Sequence, residues 1–128
     1  MPRHDPAIPD AVRRFLLTSV PSVPFLEAAR HFHLNPGRAH SVQAIASALY
    51  VPLAAAEKLV AELTAAGIIA ADGEGYRYAP RHEALAQALT DVFVCYQSNL
   101  VGITNLIHDS TQRSAERFAN AFKLRKDT

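Results

Sequence analysis

Between Ser41 and Ala79 the apolar positions fall first on two helical periods and then on two short extended runs. Val42, Ile45, Ala46 and Leu49 recur at i, i+3, i+4 and i+7, which gives a helix opening at Ser41 one buried face. Ala56, Leu59, Val60 and Leu63 repeat that spacing in a second helix, Pro52–Ala66, with Pro52 suited to its first turn and Gly67 to its C-terminal cap. Only Tyr50, Val51 and Pro52 separate the two helices. That is too short for an antiparallel return and long enough for a sharp corner. Ile68–Ala71 and Tyr76–Ala79 then flank Asp72-Gly73-Glu74-Gly75, the pattern of a β-hairpin.

Helix, tight turn, helix, hairpin is the order of a winged helix. The Ile45-Ala46-x-x-Leu49-x-Val51 corner, the run Leu59…Leu63-x-x-Ala66-Gly67-Ile68-Ile69 and the return strand Gly75-Tyr76-Arg77-Tyr78 carry the likeness. In these residues the chain resembles the winged helix-turn-helix families, MarR-like bacterial transcriptional regulators among them. The resemblance covers about 40 residues. It implies a mainly α fold with a small β-hairpin wing, homodimerisation, and double-stranded DNA as partner, with Pro52–Ala66 reading the duplex. Lys58 falls where the resembling regulators keep a basic residue.

The flanks follow from turn chemistry. Residues 1–9 hold Pro2, Pro6 and Pro9 and read as a flexible lead-in. Asp10 offers an N-cap to a helix through Thr18, and Val20-Pro21 and Val23-Pro24 interrupt it. A supporting helix from Ser22 to Leu34 would bury Phe25, Leu26, Ala29 and Leu34 before the turn Asn35-Pro36-Gly37. Ala39–Ser41 is then a short strand or the cap of the next helix. Residues 10–80 thus form the winged unit with its supporting helices, and 81–128 form C-terminal dimerisation helices and a basic tail, Lys123, Arg125 and Lys126. One long helix is expected from Arg81 to Ile107, with a break at Asp109-Ser110-Thr111 and a final amphipathic helix. The apolar set of the long helix is wider than one neighbour needs. Leu89, Phe93, Tyr96, Leu100, Ile103 and Ile107, joined by Phe118 and Phe122, are therefore the candidate dimer interface.

Composition changes the picture in one respect. A chain of 128 residues, 49% apolar and 20% charged, is a single ordinary globular domain. A lone cysteine, no signal-peptide run and no stretch of ~18 uninterrupted apolar residues point to a cytoplasmic protein without a membrane partner. The net charge of +1, however, gives no general attraction to nucleic acid. Residues 41–80 hold Lys58 and Arg77 against Glu57, Glu62, Asp72 and Glu74, a balance of −2, so the basic residues lie on the flanks. The exposed start of the second helix offers Leu53, Ala54 and Ala55, which can touch a thymine methyl group but cannot tell donors from acceptors. Candidate DNA contacts are Lys58 and Arg77, then Gln43 and Arg38 for phosphate, with Ala54 and Ala55 against the bases. The alternative is a protein-docking module that uses the Leu53–Ala56 surface and binds no DNA.

Other residues carry plain readings. Cys95, among Val92, Phe93 and Tyr96, reads as a small buried hydrophobe; a redox switch would need a nearby cation. His31 and His33 point apart at i, i+2, so with His40 they make a solvated basic edge rather than a metal site. Tyr50, Tyr76 and Tyr78 could line a ligand pocket, or more plainly cover the core edge with their hydroxyls in water. Asn99–Asn105 suggests a kink at Gly102 or a polar seam. No paired carboxylates, glycine-rich phosphate loop or Ser/His/Asp set stands out, so neither an enzyme nor a cofactor is expected.

Overall fold

The computed structural model describes residues 8–111 and Ala119. The chain is mainly helical with one antiparallel hairpin. In order it forms α1 (Asp10–Ser19), α2 (Val23–Leu34), α3 (Val42–Leu49), α4 (Leu53–Ala65), β1 (Ile69–Asp72), β2 (Gly75–Tyr78) and α5 (Glu83–Ser98). Residues 100–111 are again helical. This order is compatible with a winged helix.

Local chemistry sets most of the boundaries. Ser22 and Ser41 cap α2 and α3, their hydroxyls accepting from the backbone N–H of Phe25 (3.2 Å) and Ala44 (3.1 Å). Helix α3 stops because Tyr50 turns left-handed (φ 56°), which lets Tyr50 N–H reach Ser47 C=O and Val51 N–H reach Ala46 C=O. Gly67 (φ 75°) closes α4 by the same device, with bonds to Thr64 and Leu63. Across the corner α3 and α4 bend by 111°. Among the described residues no single helix is long and apolar enough to cross a membrane.

The core centres on α2, where Phe25, Leu26, Ala28, Ala29 and Phe32 are all buried. Ile45 from α3, Ala56, Leu59, Val60 and Leu63 from α4, and Ile68 and Ile69 close around it. Val12 and Leu16 of α1, with Leu89, Val92, Phe93 and Tyr96 of α5, complete the other side. The hairpin pairs Ile69 with Tyr78 and Asp72 with Gly75. Its inner strand is also stitched to the segment before α3: His40 N–H donates to Tyr76 C=O (2.7 Å) and Tyr76 N–H to His40 C=O (2.9 Å). The 39–41 segment is therefore both a minimal strand and, at Ser41, a helix cap.

Several expectations need correction. Pro9 rather than Asp10 precedes α1, and Asp10 stands in the first turn. Pro52 likewise stands before α4 rather than inside it. The strands lie one residue off the expected spans, although Ala79 N–H still reaches Ile68 C=O (2.9 Å). Leu34 is exposed, because Asn35 ends α2 by donating its side-chain amide to His31 C=O and leaves Leu34 on the outer side. The long C-terminal helix is broken at Asn99 (φ −145°, ψ 63°), not at Gly102. Asn99 Oδ1 accepts from Gly102 N–H (3.0 Å) and so starts the second helix. A side chain on Gly102 would collide with that same amide. Residues 109–111 remain helical, so no break occurs there. The lead-in, apart from Ile8 and Pro9, the basic tail, and Phe118 and Phe122 lie outside the described residues.

Gly75 makes the stitch possible, since a Cβ there would stand 2.7 Å from His40 O and 2.9 Å from His40 C. Both are backbone atoms and cannot rotate away. Gly75→Ala should therefore cost about 1–3 kcal/mol in urea unfolding. Gly73→Ala would carry only the smaller cost of its positive φ, because nothing lies within 4 Å of a Cβ there. Equal losses at the two positions would remove the steric explanation.

Candidate nucleic-acid interface

The corner presents one side of α4 outward. Leu53, Ala54, Glu57 and Lys58 are exposed, and Ala55 is half-buried. Pro52 gives α4 no side-chain cap, and its first turn holds no acidic residue. The helix N-terminus therefore keeps free N–H groups and the positive end of its dipole, features that suit an anion. Gln43 is exposed in the first turn of α3. Arg38 and Arg77 are exposed on the two segments that the His40–Tyr76 pair joins, each within two residues of that pair. Arg77 is partly occupied: its Nε lies 3.8 Å from Asp72 Oδ2, both side chains about half exposed. Such a pair contributes little to stability, but Asp72 competes with any phosphate for the guanidinium.

Tyr50 and the Tyr78 hydroxyl both depart from the expected core edge with hydroxyls in water, the Tyr78 hydroxyl being buried. Tyr50 covers no core edge and is 94% exposed, on a backbone that L side chains rarely adopt. The signal was available: a three-residue corner needs one residue at positive φ, and this corner contains no glycine.

The candidate dimer residues divide differently. Leu89, Phe93, Tyr96, Ile103 and Ile107 are buried inside the one chain and offer no surface to a second copy in this conformation. Helix α5 packs on α1, and its Phe93 and Tyr96 meet His33 and Glu27 of α2, so this face is taken up within the chain. Leu100 stays 54% exposed, with Val94 and Val101 exposed near it at the break. Cys95 is half-buried against the core. Tyr96 is held by Glu27 and Thr104, and burial above all, with the Glu27 carboxylate, pushes its hydroxyl pKa up to about 12.

The histidines form no simple solvated edge. His40 is buried, its ring 5.2 Å from His31 and 5.3 Å from Phe32, and His40 Nε2 lies 3.5 Å from Asn35 O. His33 turns the other way, stacking near Tyr78 (5.2 Å) and Phe93 (4.8 Å). His33 Nδ1 and the Tyr78 hydroxyl are both buried without a hydrogen-bond partner. Burial raises the Tyr78 pKa to about 12. Burial lowers the pKa of His33, helped by Arg30, and that of His31, helped by His40 and Arg38. Among the described residues no three His, Cys, Asp or Glu side chains gather where they could hold a metal ion.

Comparison with protein-family models, curated proteins and solved structures found no match.

The histidines set a pH dependence. A lowered folded-state pKa means that the unfolded chain binds more protons, so their contribution to stability is complete above about pH 6.5 and declines as pH falls toward the folded values. Urea midpoints from pH 8 to pH 5 should show that decline. His33→Phe fills the aromatic pocket without an orphan nitrogen, so it should flatten the curve and add about 1 kcal/mol at pH 5. An unchanged slope in that variant would show that His33 does not titrate in this range.

Proposed function

We propose that the chain is a winged helix-turn-helix protein that binds double-stranded DNA as a homodimeric transcriptional regulator, with α4 as its reading helix. The observation that carries this reading is the corner itself. A 111° helix pair stands beside a hairpin stitched behind it by His40 and Tyr76, with an uncapped helix N-terminus facing outward. Lys58, Arg77, Arg38 and Gln43 supply phosphate contacts, the α4 N-terminus adds backbone N–H donors, and Ala54 and Ala55 face the bases. Base discrimination is correspondingly weak, and binding rests mainly on the backbone. Self-association draws on Leu100 and the neighbouring Val94 and Val101, with the segment beyond Thr111.

A second reading has its own observation. Tyr50 and Leu53 are both exposed at the corner, although Ala56 of the expected docking surface is buried, and residues 41–80 carry a balance of −2. An apolar, mildly acidic surface of this kind suits a protein partner better than a phosphate backbone.

Fluorescence anisotropy with duplex DNA from the upstream region of the gene, at two salt concentrations, separates the two. DNA reading requires affinity that falls with salt. Lys58→Glu should weaken binding about tenfold or more, and Arg77→Ala should reduce the salt slope by about 1. A folded protein that binds no duplex at low salt would sink this reading and leave the corner to a protein partner.

A further inference from the structure

Beside the corner lies a cleft of about 350 Å³ between the start of α2 and the end of α3. Val23, Pro24, Leu49 and Val51 give it apolar walls, Tyr50 stands at its rim, and among the described residues Glu27 is the only charged one that lines it. Two features there favour positive charge. The Glu27 carboxylate is half-buried and anchored by the Tyr96 hydroxyl. The Tyr50 ring, almost wholly in solvent, presents a π face with no neighbour over it. The negative end of α3 is met there by the positive end of α2, whose first residues Val23 and Pro24 line the same cleft, so the sign of the site is left to its side chains. Arg30, one turn beyond Glu27, acts on the Tyr96 hydroxyl and does not line the cleft. The positive end of α4 begins at Leu53 and leaves at 111°, also outside the lining.

We infer that this cleft binds a small organic ammonium ion, its charge held between Glu27 and the Tyr50 ring and its hydrocarbon body against Val23, Pro24, Leu49 and Val51. The ligand bridges the supporting helix α2 and the turn that sets the α3–α4 angle. Its binding therefore bears directly on how α4 is presented. The site itself requires nothing of the DNA reading.

The test uses three probes of one size and shape that differ in charge: 2-phenylethylammonium, 2-phenylethanol and phenylacetate. Each is titrated into the ¹⁵N-labelled 128-residue chain without DNA, and amide shifts are followed by NMR. The ammonium should shift Val23, Glu27, Leu49, Tyr50 and Val51 saturably, the alcohol more weakly, and the carboxylate not at all. Glu27→Gln should lower the ammonium affinity about fivefold or more, to that of the alcohol. Tyr50→Ala should weaken it as well, and that change touches no packed side chain. Equal binding of all three probes, or shifts centred elsewhere, would overturn the inference. If Glu27→Gln does not fold, Tyr50→Lys takes its place by setting a cation at the rim; undiminished ammonium binding in that variant counts against the site. Because no DNA is present, failure here leaves the DNA reading standing, and failure of DNA binding leaves this site standing.

Discussion

Helix α2 is apolar over a face too wide for one neighbour, and much of the architecture answers that single demand. Phe25, Leu26, Ala28, Ala29 and Phe32 are all removed from water, so α3, α4 and the hairpin must close on the same helix. The small residues at 28 and 29 let those neighbours approach closely. Burial of this kind is not directional; it brings elements together without fixing their angles. The angles come from specific backbone devices at the ends of the elements: the left-handed residues at Tyr50 and Gly67, and the paired amides of His40 and Tyr76.

Legibility in the sequence followed the range of the physics involved. The corner, its two helices and the hairpin were readable because apolar spacing, a proline and glycines act within a few residues. Boundaries slipped by a residue or so where a proline stood before a helix instead of in its first turn. The break at Asn99 was hidden because the apolar spacing continues through it, and what stops the helix is one side chain bonding to a backbone N–H three residues on. Phe93 and Tyr96, before that break, are covered by His33 and Glu27 of α2 rather than by a second chain. The meeting of His33, Tyr78 and Phe93 is contributed by three separate elements, and no local pattern encodes it. Of the candidate contacts, the exposure of Lys58, Arg38 and Gln43 was readable; the pairing of Arg77 with Asp72 was not.

The corner also concentrates opposite electrical characters in a short length of chain. Helix α3 ends negative with no basic residue in its last turn, and across a three-residue corner α4 begins positive and without a side-chain cap. The sharp bend points these ends in different directions instead of letting them cancel. One small region can therefore address anions along one direction and cations along another, although its side chains are mostly alanine, leucine and valine. Charge here is carried by backbone orientation as much as by titratable groups.

Gly75 bears on the outward course of Arg77 as well as on the closeness of two backbones. Side chains alternate across a strand, so sliding β2 by one residue against His40 would turn Arg77 inward and lift Tyr76 and Tyr78 into water. Such a slip would also move a residue with a side chain into the place where the His40 carbonyl leaves no room for a carbon atom. The slipped pairing is closed before any interaction of Arg77 itself is considered. The bearing of the one cation on the hairpin is thus inherited from an absence two positions earlier in the chain.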